Sequence, residues 1–168
     1  MEIREERAGD REGIRRVHVA AFGGEGEARL VELLRERGKA VISLVAVEAD
    51  EVVGHVLFSP VTIEEPGTAR PLGLAPVGVL PAFQGGGIGS SLIREGLGRC
   101  ARAGYDVVVL VGAPRFYARF GFRAAKPYGL DNEYGVNEEF MVHELQNGAL
   151  LRAKGLVKYA PEFAEAGG

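Results

Sequence analysis

The segment from Val77 to Ser91 constrains the fold more than any other part of the chain. Apolar and β-branched residues run into Pro81-Ala82-Phe83-Gln84-Gly85-Gly86-Gly87-Ile88-Gly89, and from there straight into an amphipathic stretch. A strand that passes through glycines directly into a helix belongs to a chain in which helices cover a sheet. Glycine at such a turn lets backbone approach a ligand with no Cβ in the way. The first helical turn adds N–H groups without intrahelical acceptors, at the positive end of the helix dipole. Together these make an anion site, and phosphate suits it best.

The rest of the chain reads as one α/β domain over residues 1–168, with a mixed, mostly antiparallel sheet. Residues 2–6 form a strand. Asp10 is placed to cap a helix whose face carries Ile14, Val17 and Ala21, with His18 and Phe22 alongside. Gly23, Gly24 and Gly26 break it, and a second helix turns Leu30, Val31, Leu33 and Leu34 inward before Gly38. Val41 to Glu48 and Val52 to Ile63 read as an antiparallel hairpin. A strand over 69–80 contains Pro71 and Pro76, which predict irregular pairing because proline has no N–H to donate. The helix after the glycines presents Ile88, Leu92, Ile93, Leu97, Cys100 and Ala101 on one face. Tyr105 to Val111 is an apolar, buried strand. A short helix over 114–120, a strand over 138–145, a helical turn over 148–154 and a strand over 156–159 complete the order β-α-α-β-β-β-α-β-α-β-β.

Composition removes several classes of function. An apolar share of 46% with 26% charged residues is ordinary for a globular chain. A net charge of −3 gives no bulk attraction to nucleic acid or anionic membrane, so neither is expected as a partner. Arg15-Arg16 and the Arg35/Arg37 pair read as solvated helix faces. The one cysteine, Cys100, fits the apolar face of its helix and reads as core. Three histidines without ligand spacing give no metal site. The first residues lack the apolar stretch of a signal peptide, and no apolar run is long enough to span a bilayer, so the expected location is the cytoplasm.

Three phosphate-binding readings of the glycine turn compete with a turn that binds nothing. A Walker A loop needs a lysine after its glycines, and none is present. A dinucleotide fingerprint needs Gly-x-Gly-x-x-Gly/Ala. Here Gly85-x-Gly87 is followed by Ser90, and Gly87-x-Gly89 by Leu92, so the third position fails in both registers. The third reading is a resemblance. Val79-Leu80-Pro81 followed by Gln84-x-x-Gly87-x-Gly89 resembles the acyl-CoA motif of the GNAT superfamily of N-acetyltransferases, and Gly54-His55-x-Leu57-Phe58-Ser59-Pro60 resembles a bacterial-type subgroup of it.

The resemblance implies acetyl-CoA or another acyl-CoA as co-substrate and no metal. It implies that Gln84, Gly85, Gly86, Gly87, Ile88, Gly89 and Ser90 hold the pyrophosphate, and that Val77 and Val79 bond the pantetheine arm. The position between the glycines is often basic in the family and is Gly86 here. Phe116-Tyr117-Ala118-Arg119-Phe120-Gly121-Phe122 resembles the family's Tyr-x-x-x-Gly-Phe segment. It implies that Phe116 and Tyr117 contact the cofactor and that Tyr117 is the general acid for the leaving thiolate. A phenol with an ordinary pKa near 10 can donate to a thiolate at neutral pH. The family's asparagine contact after the preceding strand is replaced by Gly112-Ala113.

The group that takes the amine proton is open on sequence alone. Glu27 opens the second helix beside glycines and serves equally as base, acceptor-site residue or dipole-compatible decoration. His55 and His18 read as core residues, and Asp131, Asn132, Glu133 and Tyr134 as an acceptor-lining loop or plain surface. The expected activity is acetyl transfer from acetyl-CoA to a primary amine, direct and within a ternary complex. The amine is a small molecule or a peptide, and the oligomeric state, a dimer included, is left open. The competing class is a non-catalytic acyl-CoA-binding regulatory module, because a fold does not by itself carry a function.

Overall fold

A computed structural model describes residues 1–167. The chain forms two compact units. One comprises Met1–Ser59, Ala75–Gly96 and the residues from Pro161. The other comprises Pro60–Leu74 and Leu97–Ala160.

In the first unit, β1 (Glu2–Glu5) pairs antiparallel with β2 (Ile42–Glu48), and β2 pairs antiparallel with the first part of β3 (Glu51–Glu65). The strand order continues to β4 (Pro71–Val79). Helices α1 (Arg11–Phe22) and α2 (Gly26–Glu36) bury Ile14 and Val17, and Leu30, Val31 and Leu34, as the 3.6-residue spacing of their apolar positions requires. Helix α3 (Ile88–Arg102) begins in this unit. It sits on β3 at two glycines: a Cβ on Gly54 would lie 3.0 Å from Leu92 Cδ1, and one on Gly96 would collide with the Phe58 ring. This contact fixes where the first turn of α3 stands.

The second unit holds β5 (Val107–Val111), parallel to β4 over only three residue pairs, Pro71↔Val107 to Gly73↔Val109. That short ladder fits the irregular pairing read from the prolines of β4. β8 (Phe140–Glu144) pairs antiparallel with β5 and with the two-residue β6 (Arg123–Ala124). β9 (Lys154–Tyr159) pairs antiparallel with the end of β3 and parallel with β7 (Leu130–Asn132). Val107 to Leu110 are buried, together with Phe122, Phe140 and Val142. The short helix α4 spans Pro114–Ala118.

The nine-stranded sheet is mixed and mostly antiparallel, as expected, but the chain has more elements than the sequence reading gave. β6, β7 and a C-terminal helix α5 (Glu162–Gly167) are additional. α5 returns to the first unit and is tied there by charge: Glu162, 2% exposed, accepts from Lys39 Nζ at 2.8 Å and Arg37 Nη1 at 3.2 Å. Asp10 differs in role. Its side chain makes no helix cap; it accepts both guanidinium arms of Arg4, at 2.7 and 3.0 Å, and the backbone N–H of Arg7 at 2.7 Å. The Arg4 guanidinium therefore holds the Asp10 carboxyl below its usual range. No helix among the described residues is long and apolar enough to cross a membrane.

Candidate active site

The glycine turn is built by its backbone. After β4, Pro81–Phe83 make one 3-10 turn, and Gln84 folds back so that its Nε2 donates to the Val79 carbonyl at 3.0 Å. Gly85 and Gly87 have φ of +85° and +88°, which L-residues with a Cβ avoid. A Cβ at either position would point into open space, so backbone conformation and not crowding demands glycine there. The Gly87 carbonyl accepts from the Ser91 N–H at 3.0 Å, which makes Gly87 the last residue before the helix. The N–H groups of Ile88, Gly89 and Ser90 lie in the first turn, where a helix offers no acceptor. No acidic residue occupies that turn. A donor-rich, exposed backbone arc with no competing carboxylate fits a pyrophosphate. Val77 and Val79 are half-buried on β4 and alternate with the buried Gly78, so the two valines share one face of the strand.

Tyr117 lies in the second unit on α4, packed edge-on against Phe116 at 4.9 Å and Phe122 at 6.0 Å between ring centroids. Its ring rests against Gly112, where any Cβ would overlap Tyr117 Cε2. The Gly112-Ala113 departure from the family pattern thus makes room for the tyrosine ring. Burial raises the Tyr117 phenol above its ordinary pKa, so it carries its proton at neutral pH. Cys100 is buried and its thiol is pushed up to about 12, which leaves it no role as a nucleophile at neutral pH.

Glu27 sits half-buried in the first turn of α2. Of the loop after β7, Asn132 and Glu133 are committed to local structure. Asn132 Oδ1 accepts from Tyr134 N at 2.9 Å and its Nδ2 donates to Val136 O at 2.8 Å. Glu133 Oε1 accepts from Tyr159 N at 3.0 Å. Asp131 and Tyr134 stay exposed.

Sequence reasoning missed a buried polar chain in the first unit. His18 Nε2 and His55 Nδ1 are 2.8 Å apart, His55 Nε2 and Ser43 Oγ 2.8 Å, and Ser43 Oγ donates to Glu6 Oε1 at 2.6 Å. Arg35 Nε bonds the other oxygen of Glu6 at 2.6 Å. Both rings are fully buried, as core histidines would be. Burial pushes His18 down to about 4 and His55 well below its ordinary value, with the neighbouring His18 and Arg35 acting in the same direction on His55. Position 55 falls inside the Gly54–Pro60 motif, but its partner lies 37 residues away on α1, and no local signal joins them.

A mixed, mostly antiparallel sheet flanked by helices, with a glycine turn that feeds a helix start after its fourth strand, is the architecture of the GNAT class of transferases. A family model for the acetyltransferase (GNAT) domain matches residues 2–125, and the chain belongs to the GNAT acetyltransferase family. It is 37% identical over 165 residues to the uncharacterized N-acetyltransferase YhbS of Escherichia coli, covering 97% of this chain and 98% of that protein. The crystal structure of YhbS in complex with CoA superposes with a TM-score of 0.92, covering 97% of this chain and 91% of that one. A GNAT family acetyltransferase from Brucella melitensis in complex with acetyl-CoA is 38% identical, with a TM-score of 0.80 over 96% of this chain and 97% of that one.

Proposed function

We propose that this protein transfers an acetyl group from acetyl-CoA to a primary amine, by direct attack of the amine on the thioester within a ternary complex. The observation that carries this reading is the backbone cradle from Gln84 to Ser90, in which two glycines with positive φ lead into a helix start free of carboxylates. Relatives that share most of the chain hold CoA or acetyl-CoA, which supports the same ligand here.

In this reading the amides of Gly85 to Ser90 hold the pyrophosphate, Gln84 fixes the loop to the end of β4, and Val77 and Val79 offer their backbone to the pantetheine arm. Phe116 packs with Tyr117 against the cofactor. Tyr117 protonates the departing thiolate, a role its fully protonated resting state suits. Glu27, at the start of α2, lines the acceptor side.

Thiol release from acetyl-CoA, measured against a panel of small amines and amine-bearing peptides, tests the reading. Turnover is expected with at least one class, and acetyl-CoA raises the melting temperature. At one hundred times its dissociation constant a ligand contributes about 2.7 kcal/mol to stability. NADH and ATP give much smaller shifts. Stabilisation by NADH equal to that by acetyl-CoA overturns the cofactor assignment. Tight acetyl-CoA binding without turnover on any amine makes the protein an acyl-CoA-binding regulatory module.

A further inference from the structure

The chain His18–His55–Ser43–Glu6 is buried at its histidines and half-buried at Ser43 and Glu6. It has a bare acceptor at its His18 end, while a donor, Arg35 Nη2, is left without a partner beyond Glu6. Glu6, paired with Arg35, can only accept, so Ser43 donates to it. The Ser43 oxygen then takes the Nε2–H of His55, which leaves His55 Nδ1 as an acceptor for the Nε2–H of His18. Each neutral ring carries one proton, so His18 Nδ1 presents a lone pair. That atom is buried and has no hydrogen-bond partner. It faces β4: a Cβ on Gly78 would lie 3.0 Å from His18 Nδ1 and 3.4 Å from Phe22 Cε2. Gly78 stands between Val77 and Val79, and the Phe22 ring stacks on His18 at the exposed end of α1, just before Gly23 and Gly24. At its other end the chain reaches Ser43, Glu6 and Arg35, which line a surface cavity of about 350 Å³.

The geometry points to a proton-accepting chain: His18 Nδ1 takes up the proton that the acceptor amine loses as it attacks, and His55, Ser43 and Glu6 hold His18 in the tautomer able to take it. This rests on the transferase reading above. Access of the acceptor to the buried Nδ1 requires the exposed Phe22 ring, which stacks on His18, to turn aside. The amine N–H bond breaks as Nδ1–H forms. The new N–C bond forms as the thioester C–S bond breaks, and the thiolate takes its proton from Tyr117 or water. The positive charge left on His18 is shared with His55 and balanced by the Glu6 carboxylate. After the amide leaves, Nδ1 gives its proton back through water, which restores the phenol of Tyr117 where Tyr117 was the donor, and the chain resumes its resting tautomers. A buried imidazole alone is a poor base; a carboxylate at the end of the chain makes uptake feasible. The charged groups in contact with the chain are Glu6 and Arg35, with Glu5, Arg7 and Arg11 lining the same cavity beside Ser43, and the His18 end is bounded by Phe22 and Gly78, neither of which titrates.

Ser43→Ala tests the chain without removing either ring. At neutral pH its kcat for an accepted amine is expected to fall at least tenfold, since a positioned base contributes about 10²–10⁴-fold. KM for acetyl-CoA stays within about twofold on that account. The loss shrinks as pH rises toward the amine's own pKa, because an already neutral amine depends less on the acceptor, and Ser43→Thr restores the wild-type profile. A Ser43→Ala profile that tracks wild type at every pH overturns the proposal while leaving the transferase reading intact. Nitrogen-15 correlation spectra of the imidazoles give a readout independent of turnover: both rings are expected neutral and protonated at Nε2 at pH 7. A proton on His18 Nδ1 in the resting protein overturns the proposal. If the tautomers are as expected and the wild type acetylates no amine, the transferase reading fails and this role fails with it.

Discussion

At the scale of single residues, Tyr117 separates packing from chemistry. Its ring is wedged between Phe116, Phe122 and the bare face of Gly112, and those contacts belong to the ring and not to the hydroxyl. Tyr117→Phe therefore keeps the fit and removes only the proton donor. Its melting temperature and acetyl-CoA affinity are expected to match wild type, with kcat at least tenfold lower. The bound sits below the usual 10²–10⁴-fold because water can replace a missing acid in part. Steady-state kinetics on an accepted amine together with thermal unfolding check this. Unchanged turnover returns Tyr117 to a packing role. A melting temperature that falls in step with turnover shows that the hydroxyl served the fold.

At the scale of elements, the turn from β4 to α3 carries the ligand assignment. With φ of +88° and open space around its absent Cβ, Gly87 resists substitution through backbone conformation alone. Gly87→Ala is expected to raise the acetyl-CoA dissociation constant about tenfold, equivalent to roughly 1–2 kcal/mol for an L-residue forced to positive φ. Overall stability changes little if the loop relaxes to negative φ in the free protein, and calorimetric titration beside thermal unfolding separates the two. An unchanged dissociation constant sinks the role of this backbone in binding. The same element shows why part of the molecule is legible in sequence. The end of the strand, the glycine turn and the start of the helix are contiguous from Val77 to Ser91, and each is specified locally by β-branching, by positive φ or by helical periodicity. β6 and β7 are two and three residues long and exist only through partners distant in sequence. α5 is held by the charges of Lys39 and Arg37 more than a hundred residues away, which no window along the chain reports. Asp10 stands at a helix start as a cap would, yet the Arg4 fork claims its carboxylate. The glycine turn of the candidate site was therefore readable, whereas the histidine chain, assembled from the residue that follows β1 and from α1, β2 and β3, was not.

At the scale of the whole molecule, the buried titrating groups set how stability responds to acid, in two separate windows. His18 is fully buried, and its pKa is pushed from 6.5 down to about 4. His55, equally buried, is displaced in the same direction. Between those limits the unfolded chain binds protons that the folded chain refuses. The stability these rings allow is thus complete above about pH 6.5 and is lost as pH falls toward the folded values. The slope is up to about 1.4 kcal/mol per pH unit for each histidine. Asp10 and Glu162 follow the same sign in a lower window. Arg4 lowers the first and Lys39 the second, so their contribution is present above the ordinary carboxylate range and disappears only as pH falls below about 4. The melting temperature is therefore expected to decline already between pH 7 and pH 5, before the carboxylates titrate, and to fall again near pH 4. Replacing His18 with glutamine keeps a polar side chain against His55 and removes one titrating ring. The variant should start from lower stability and show a shallower decline between pH 7 and pH 5, while its drop near pH 4 is unchanged. A wild-type melting temperature that is flat from pH 7 to pH 5 would mean that the imidazoles accept protons within the folded protein, and the assignment of both as buried neutral rings would fail.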